Sequence, residues 1–182
     1  ASGAAAQGTD HVLNASNLNI LHPNNRAVYA WAGTGNGYTT INAATSAANA
    51  VLAPGQGFMV GDNYSNVGSL TFNRNMMTED GSDDAIVGDT MGSNDRAELF
   101  VNLSQENNNR RAEIYFLENT SDSFESAYDA ASLGFDYPSI NSRLLDGDEG
   151  VDLAIQSLSY SEMWDKVIPL VINATGGEEM TI

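Results

Sequence analysis

The sequence predicts an all-β fold, specifically an antiparallel β-sandwich of the Greek-key or jelly-roll kind. Eight or more short apolar or alternating runs are separated by turn residues, and no stretch keeps a helical period. Asparagine, glycine, serine and threonine are abundant, which favours turns and short strands over long helices. The chain of 182 residues is 42% hydrophobic, so we expect one domain over residues 1–182 with its own core.

The start of the chain predicts a flexible segment, one short helix and a hairpin. Residues 1–8 are small and give nothing to bury, so we expect them to be a flexible N-terminal segment. Thr9-Asp10 consists of two helix-capping residue types, and one short helix is expected after it. The strand-like runs 27–31 and 38–42 flank a glycine-rich turn, which predicts a β-hairpin.

A turn and a buried strand come next. Pro54-Gly55 suits the two central positions of a type II turn, because proline presets φ and glycine accepts a positive φ. The continuously apolar run 58–60 follows the turn and predicts a short strand that is covered on both faces. The run 70–72 predicts another short strand.

The clearest strand pairing is a longer hairpin in the middle of the chain. Residues 96–103 and 112–117 each alternate with a period of two, and a polar turn at 105–109 separates them. This pattern predicts an antiparallel hairpin with one face in the core. Further strands are predicted over residues 142–145, 151–157, 166–173 and 180–182.

The charge of the chain excludes several classes of partner. Seven Lys and Arg residues against 24 Asp and Glu residues give a net charge of −17, and Lys166 is the only lysine. Such a chain repels nucleic acid and anionic membrane surfaces, so we expect neither as a partner. The chain has no cysteine, which excludes disulfides and thiolate sites, and no apolar run is long enough to predict a membrane-spanning helix.

Six separated segments follow one another in an order that is typical of one family. They are LAPGQGF (52–58), LTFNRNM (70–76), LFVNL (99–103), YDA (128–130), LAIQ (153–156) and IPLV (168–171). In this order they resemble a β-sandwich module of secreted and surface Bacteroidetes proteins, found next to the C-terminal sorting domain of type IX secretion substrates. The similarity extends from about Asn14 to Ile182.

The resemblance implies secretion, an extracellular or cell-surface location and a β-sandwich, and it supplies no catalytic residues. The family opens with a strand that ends in a Gly-Asn-Pro motif, which this sequence lacks. Either Ala1 is a cut end, or the missing first strand is supplied by another molecule. Ile182 stands where the sorting domain follows in the family, consistent with its removal. A sheet that lacks a strand exposes an edge for strand addition, which makes self-assembly a hypothesis for this chain.

Two acidic segments are candidate calcium sites, because carboxylates spaced around glycines can wrap oxygen ligands about Ca²⁺. The candidate ligands are Asp146, Asp148, Glu149 and Asp152 in one turn, and Asp80, Asp83 and Asp84 in a long polar loop. The simpler interpretation of both segments is acidic residues in solvated turns and loops. Calcium is the one cofactor that the sequence suggests, and both interpretations stay open.

Four aromatic residues are candidates for binding a glycan, since flat ring faces stack on the C–H bonds of sugars. They are Trp31, Tyr38, Tyr137 and Trp164. The alternative for Trp31 is a place in the core, which is the more usual one for a tryptophan on a sandwich strand. Trp164 lies in a turn-like segment and is expected to be the more exposed tryptophan.

The sequence contains no signature of catalysis. No serine motif, nucleophile elbow or phosphate-binding glycine loop occurs, and the two histidines, His11 and His22, lie in the loose N-terminal region. We therefore expect a non-catalytic structural or adhesive module at the cell surface, which binds another surface protein or copies of itself. The alternatives are a carbohydrate-binding module and an accessory domain of a secreted polysaccharide-degrading enzyme.

Overall fold

The computed structural model describes residues 12–32, 37–45, 52, 56–63, 65, 68–77, 96–134, 137–161 and 163–182. Within these residues the chain is mostly β-strand in two sheets with few helices, which confirms the predicted all-β class. Several predictions concern other residues. Outside the described residues lie the flexible segment 1–8, the Thr9-Asp10 cap, His11, the Pro54-Gly55 turn and the loop with Asp80, Asp83 and Asp84.

The smaller sheet has three short strands. They are β1 (Val28–Trp31), β2 (Tyr38–Ile41) and β3 (Phe58–Met59), in the order β2-β1-β3. Both pairs are antiparallel, with Val28 opposite Ile41 and Ala30 opposite Phe58. Aromatic and β-branched residues, which suit a pleated surface, dominate these strands. The predicted pairing of the first two strands and the strand after residue 57 are confirmed.

The larger sheet has six strands. They are β4 (Arg96–Gln105), β5 (Asn108–Leu117), β6 (Ala130–Ala131), β7 (Ser139–Ser142), β8 (Leu153–Ser159) and β9 (Leu170–Asn173). Their order is β4-β5-β8-β7-β9, and β6 also pairs with β8. Strands β4 and β5 form the predicted antiparallel hairpin, in register from Arg96 opposite Leu117 to Gln105 opposite Asn108.

Strand β5 is more deeply buried than its alternation predicts. Ala112, Ile114 and Phe116 are buried, as expected for the core face, but Tyr115 on the opposite face is buried as well. The prediction that only one face of this hairpin lies in the core is therefore wrong for the second half of β5. The physical reason is that the smaller sheet covers Tyr115, together with Tyr29 and other residues of one apolar cluster.

One strand pair departs from the wholly antiparallel expectation. Strands β5 and β8 run parallel, in register from Glu113 opposite Ile155 to Leu117 opposite Ser159. Parallel neighbours need a crossover connection, and residues 118–152 provide it, with β6 and β7 inside the connection. Alternation along a strand indicates which side chains share a face, but it carries no information about the direction of the neighbouring strand.

Residues 70–72 form no strand, and a buried side chain explains the difference. The Asn17 amide nitrogen donates to the Thr71 carbonyl at 3.0 Å, and the Thr71 N–H donates to the Asn17 carbonyl oxygen at 2.9 Å. Both backbone groups of Thr71 are thereby satisfied without a neighbouring strand. Asn17 is 1% exposed whereas Thr71 is exposed, so a buried side chain takes the place of a neighbouring strand for this surface segment.

Of two C-terminal strands, β7 begins earlier than predicted and β9 begins later, each directly after a proline. Strand β7 begins at Ser139 after Pro138, and β9 begins at Leu170 after Pro169. Proline has no N–H to donate and therefore suits the position before a strand. The strand predicted over residues 180–182 is reduced to one bridge between Ser104 and Thr181.

Helical structure in the described residues is short. The α-helix α1 (Ala15–Leu18) is capped by Asn14, whose side chain accepts the Asn17 N–H at 3.0 Å. Single 3₁₀ turns occur at Pro23–Asn25, Arg74–Met76 and Met163–Asp165. Over the described part of the chain, no helix is both long and apolar enough to cross a membrane.

Three apolar clusters make up the core. One lies around α1 and β1, and another lies around β4, β5 and β8. The cluster between them contains Tyr29 of the smaller sheet with Tyr115 and Ile155 of the larger sheet. The Tyr29 hydroxyl donates to the Ala131 carbonyl at 2.7 Å, so a hydrogen bond accompanies the apolar contact between the sheets. Burial raises the pKa of Tyr29 to about 12, which keeps this phenol protonated as a donor.

A buried carboxyl group ties the segment before β6 to β8. Asp129 is 0% exposed, and its two oxygens accept the N–H groups of Glu125 at 2.6 Å and Ser157 at 2.5 Å. Burial raises the pKa of Asp129 to about 7, although the two backbone hydrogen bonds act in the opposite direction. The native state therefore holds a proton on Asp129 over a pH range in which an unfolded chain has lost it.

Replacing Asp129 by Asn tests this proton. Between about pH 4 and pH 7 the native state binds more protons than the unfolded state, so Asp129 makes the free energy of unfolding fall as pH rises. Over this range we expect the free energy of unfolding of Asp129→Asn to fall less than that of the wild type, by up to about 4 kcal/mol. One pKa unit corresponds to about 1.4 kcal/mol. Urea unfolding across this range measures the slope, and Asp165→Asn, at an exposed site, is the control. Parallel wild-type and Asp129→Asn curves would contradict the assignment.

Candidate functional site

A cleft with a volume of about 300 Å³ lies between the two sheets. Residues of three strands contribute to its lining. They are Tyr38, Thr39 and Thr40 of β2, Arg110, Arg111 and Glu113 of β5, and Ser139, Ile140 and Asn141 of β7. The position of the cleft follows from strand pairing. The ladder between β5 and β8 begins only at Glu113 and leaves the preceding residues of β5 beside the cleft.

Two arginines of β5 are among the residues that line this cleft, and as neighbours in a strand they point to opposite faces of the sheet. Arg111 is held in place by Glu113, whose Oε1 atom lies 3.0 Å from the arginine Nη2 and 3.1 Å from Nε. The Arg111 guanidinium also lies over the Phe100 ring, 4.5 Å from its centroid, which is a cation–π contact. The other oxygen of Glu113 accepts the Tyr115 hydroxyl at 2.7 Å. Burial, reinforced by the Glu113 charge, raises the pKa of Tyr115 and keeps it a donor.

Neutral polar groups complete the lining. Asn141 is 5% exposed, and its amide nitrogen lies 3.5 Å from the Ser139 hydroxyl. That hydroxyl also accepts the Asn173 amide of the neighbouring strand at 3.2 Å. Asn109 accepts the Ser104 hydroxyl at 2.9 Å across the β4-β5 hairpin. The cleft therefore offers amides and hydroxyls on a rigid sheet, which suits a small polar ligand.

Two of the four predicted aromatic candidates are brought together beside the cleft. Trp31 and Tyr38 are opposite each other in the β1-β2 register, with ring centroids 5.1 Å apart at an interplanar angle of 67°. Trp31 is 45% exposed, so the interpretation that places it in the core is wrong. It lies at the end of β1, two residues beyond the buried Tyr29.

The other two aromatic candidates are exposed but do not line the cleft. The hydroxyl of Tyr137 lies 3.0 Å from the Thr175 hydroxyl, and the Tyr137 side chain is 55% exposed. Trp164 is 88% exposed in the 3₁₀ turn Met163–Asp165, which confirms that it is the more exposed tryptophan. The predicted group of four is thus a pair beside the cleft and two separate residues.

The side chain of Arg143 lies among the carboxylates of the acidic turn before β8. Arg143 lies 2.8 Å from Asp152 and 3.5 Å from Asp148, and Asp146 accepts the Ser123 hydroxyl at 2.9 Å. Glu149 is exposed. Among the described residues, no group of three or more His, Asp or Glu side chains is arranged to hold a metal ion. Calcium binding at this turn stays a prediction, and an ion there would compete with the Arg143 guanidinium.

A second candidate surface is the outer side of strand β9, which we call the β9 edge. Strand β9 pairs with β7 on one side and stands last in the order of the larger sheet. Its side chains Leu170 and Ile172 are 40% and 38% exposed, and Val167 shortly before it is 84% exposed. An edge strand with exposed apolar side chains is a template for pairing with another chain.

Sequence reasoning identified neither Arg110 nor Arg111 as a candidate. The available signal was their number, because two adjacent residues supply two of the seven cations in a chain with 24 acids. The polar partners could not be recognised, since Asn141 and Ser139 lie about thirty residues from them in the chain and reach the cleft only through the sheet order.

Replacing Arg143 by Gln tests whether the acidic turn has latent affinity for calcium. The change leaves Asp148 and Asp152 without their guanidinium partner, so we expect millimolar calcium to raise the melting temperature of Arg143→Gln more than that of the wild type. Arg74→Gln, at an exposed site outside the turn, is the control for loss of one positive charge. An equal response of all three proteins would count against calcium at this turn.

Comparison with known proteins adds no assignment to these surfaces. No protein-family model, curated protein or solved structure matches the chain. The proposals below therefore depend on the contacts, exposure and charge of the described residues, together with the resemblance of the six sequence segments to the secreted module.

Proposed function

We propose that this chain is a non-catalytic structural or adhesive module of a secreted cell-surface protein, built as a β-sandwich and acting through protein interaction or self-assembly. The observation that carries the proposal is the β9 edge, where Leu170 and Ile172 are exposed on the last strand of a six-stranded sheet. A strand from another surface protein, or from a second copy, can add there through backbone hydrogen bonds. Apolar pairs across the new ladder then contribute to affinity.

Three further observations support the location, the excluded partners and the lack of catalysis in this proposal. The resemblance to modules beside type IX sorting domains supports an extracellular or cell-surface address and a Bacteroidetes origin. The net charge of −17 suits a surface that binds neither nucleic acid nor anionic membrane. His22 serves as the cap of a 3₁₀ turn, where its ring nitrogen accepts the Asn24 N–H at 3.2 Å, which is a structural use of this side chain.

Lysine substitutions at the β9 edge test strand addition. We expect Leu170→Lys and Ile172→Lys to weaken association at least tenfold, because a charged side chain on an edge strand opposes pairing with a further strand. Sedimentation over a concentration series measures association of the chain with itself. The matched control is Met77→Lys, which places the same charge on a 78% exposed apolar residue outside both sheets. Unchanged association in both β9 variants, with the fold intact, would argue against this edge.

A carbohydrate-binding module is the second candidate function, in its own right or as the accessory domain of a secreted polysaccharide-degrading enzyme. The observation that favours it is the placement of exposed Trp31 against Tyr38, which lines the polar cleft. A ring that is 45% exposed can stack on a sugar, while amides and hydroxyls nearby bind the sugar hydroxyls.

Replacing Trp31 by Ala tests this second function. We expect at least a tenfold loss of affinity for neutral polysaccharides such as soluble β-glucan, mannan or xylan, measured by affinity electrophoresis, because the stacking surface is removed. Trp164→Ala is the matched control, since Trp164 is more exposed but lies in a 3₁₀ turn outside the smaller sheet, whereas Trp31 contacts Tyr38 of the cleft lining. A larger loss in Trp164→Ala than in Trp31→Ala would move the glycan site away from the cleft.

A further inference from the structure

We propose that the cleft between the two sheets is a binding subsite for one uncharged sugar ring, whose hydroxyls are bound by Thr40, Ser139 and Asn141. The inference deepens the second candidate function and rests on it. It assigns the residues that bind the sugar inside the cleft, and it limits the ligand to neutral sugars. Neither point follows from the aromatic pair alone.

Three polar side chains of the cleft lining are almost fully buried, and each has a hydrogen-bonding group that the protein does not use. Thr40, Ser139 and Asn141 are 7%, 8% and 5% exposed. Among the described residues, the Thr40 hydroxyl makes no hydrogen bond and the Asn141 side-chain carbonyl accepts none. Ser139 accepts two amides, but its own hydroxyl hydrogen has no acceptor within the same part of the chain. Buried polar groups normally have partners, so three unused groups at one cavity indicate a polar ligand.

The unused groups come from two different sheets. On β2, Thr40 shares a face with Tyr38, which packs in the apolar cluster between the sheets. On β7, Ser139 and Asn141 share the face opposite to Ile140, whose side chain lies in the cluster around β4, β5 and β8. A ligand in the cleft can therefore bond to both sheets at once. A ring with hydroxyls around its periphery has donors and acceptors in the directions that this requires.

The charged side chains on the cleft side of β5 cancel each other. Arg111 and Glu113 share a face with Tyr115, which packs in the cluster between the sheets. The guanidinium and the carboxylate are paired at 3.0 Å, so this face offers no net charge to an ion. The chain as a whole carries −17, which further disfavours an anionic ligand. A neutral sugar is therefore favoured over a uronic acid.

The size of the cleft suits one ring. Its volume of about 300 Å³ lies at the lower end of the range for small-molecule pockets. Tyr38 lines the cleft and also contacts the exposed Trp31, with ring centroids 5.1 Å apart. The aromatic pair thus provides an apolar surface beside the cleft, on which the next ring of a polysaccharide can stack.

The experiment titrates the full chain with single sugars while ¹H–¹⁵N spectra are recorded. The neutral probes are D-glucose, D-mannose and D-xylose, and D-glucuronate is the charged counterpart of glucose. Each is added to about 10 mM, because one ring is expected to bind with a dissociation constant near the millimolar range. We expect at least one neutral sugar to shift the backbone signals of β2 and β7, and glucuronate to bind at least tenfold more weakly than that sugar. Glucuronate binding as tightly as the best neutral sugar would overturn the inference.

Replacing Thr40 by Val separates binding from folding. The change exchanges an unused hydroxyl for a methyl group, so we expect affinity for the bound sugar to fall at least fivefold without a lower melting temperature. Ser142→Ala is the matched control, because the Ser142 hydroxyl is also buried and has no partner among the described residues, but it does not line the cleft. This control is expected to keep its affinity. Thr40→Val binding the sugar as tightly as the wild type would overturn the inference.

Two further results distinguish this inference from the function on which it rests. If no single sugar shifts the signals of β2 and β7 while a neutral polysaccharide still binds through Trp31, the unused groups bind ordered water only. That result overturns the inference and leaves the carbohydrate-binding function supported. If neither single sugars nor neutral polysaccharides bind to the folded chain, both the inference and the second candidate function are overturned.

Discussion

The burial of β5 on both of its faces is the constraint on which the rest of the structure depends. Ile114 is 0% exposed and lies in the cluster around β4, β5 and β8, whereas Tyr115 is 4% exposed and lies in the cluster between the sheets. One strand therefore belongs to two apolar clusters at once. Because it also pairs with β4 and with β8, a change of register in β5 would displace side chains in both clusters.

The cleft and the core share this strand, so the cleft residues on β5 are continuous with a buried segment. The second half of β5 is fixed by burial, and the first half, which carries Arg110 and Arg111, continues from it without interruption. Strand β4 supports the same residues from the other side, with Asn102 opposite Arg111. Polar groups that continue directly from a buried ladder keep their positions better than groups placed on a loop.

Local patterns predicted the local structure well. Alternation identified the β4-β5 hairpin, and the glycine-rich turn between two strand-like runs identified the pairing of β1 with β2. The parallel pairing of β5 with β8 was not predictable from such patterns, because it depends on a crossover of residues 118–152. The non-strand conformation of residues 70–72 depends on the Asn17 side chain, fifty-four residues away in the chain.

The candidate site was harder to predict, for a similar reason. The acidic turn looked like a set of free carboxylates until the fold placed Arg143 beside Asp148 and Asp152. Trp31 lies two residues beyond the buried Tyr29 and therefore on the same face of β1, yet it is 45% exposed, a difference that alternation along the strand does not predict. The cleft itself is assembled from residues of several strands, and such a convergence has no signature in a linear sequence.

The single lysine has a consequence for how the sheet edges are protected. Proteins commonly place lysine on edge strands to oppose unwanted pairing, but here the ammonium of Lys166 is held by Asp122 at 2.7 Å. Repulsion between copies with a net charge of −17 also opposes the approach of two edges. Such repulsion is screened by dissolved ions, with a Debye length of about 8 Å at physiological ionic strength and about 3 Å at 1 M salt. Ionic strength therefore affects how closely two of these edges can approach.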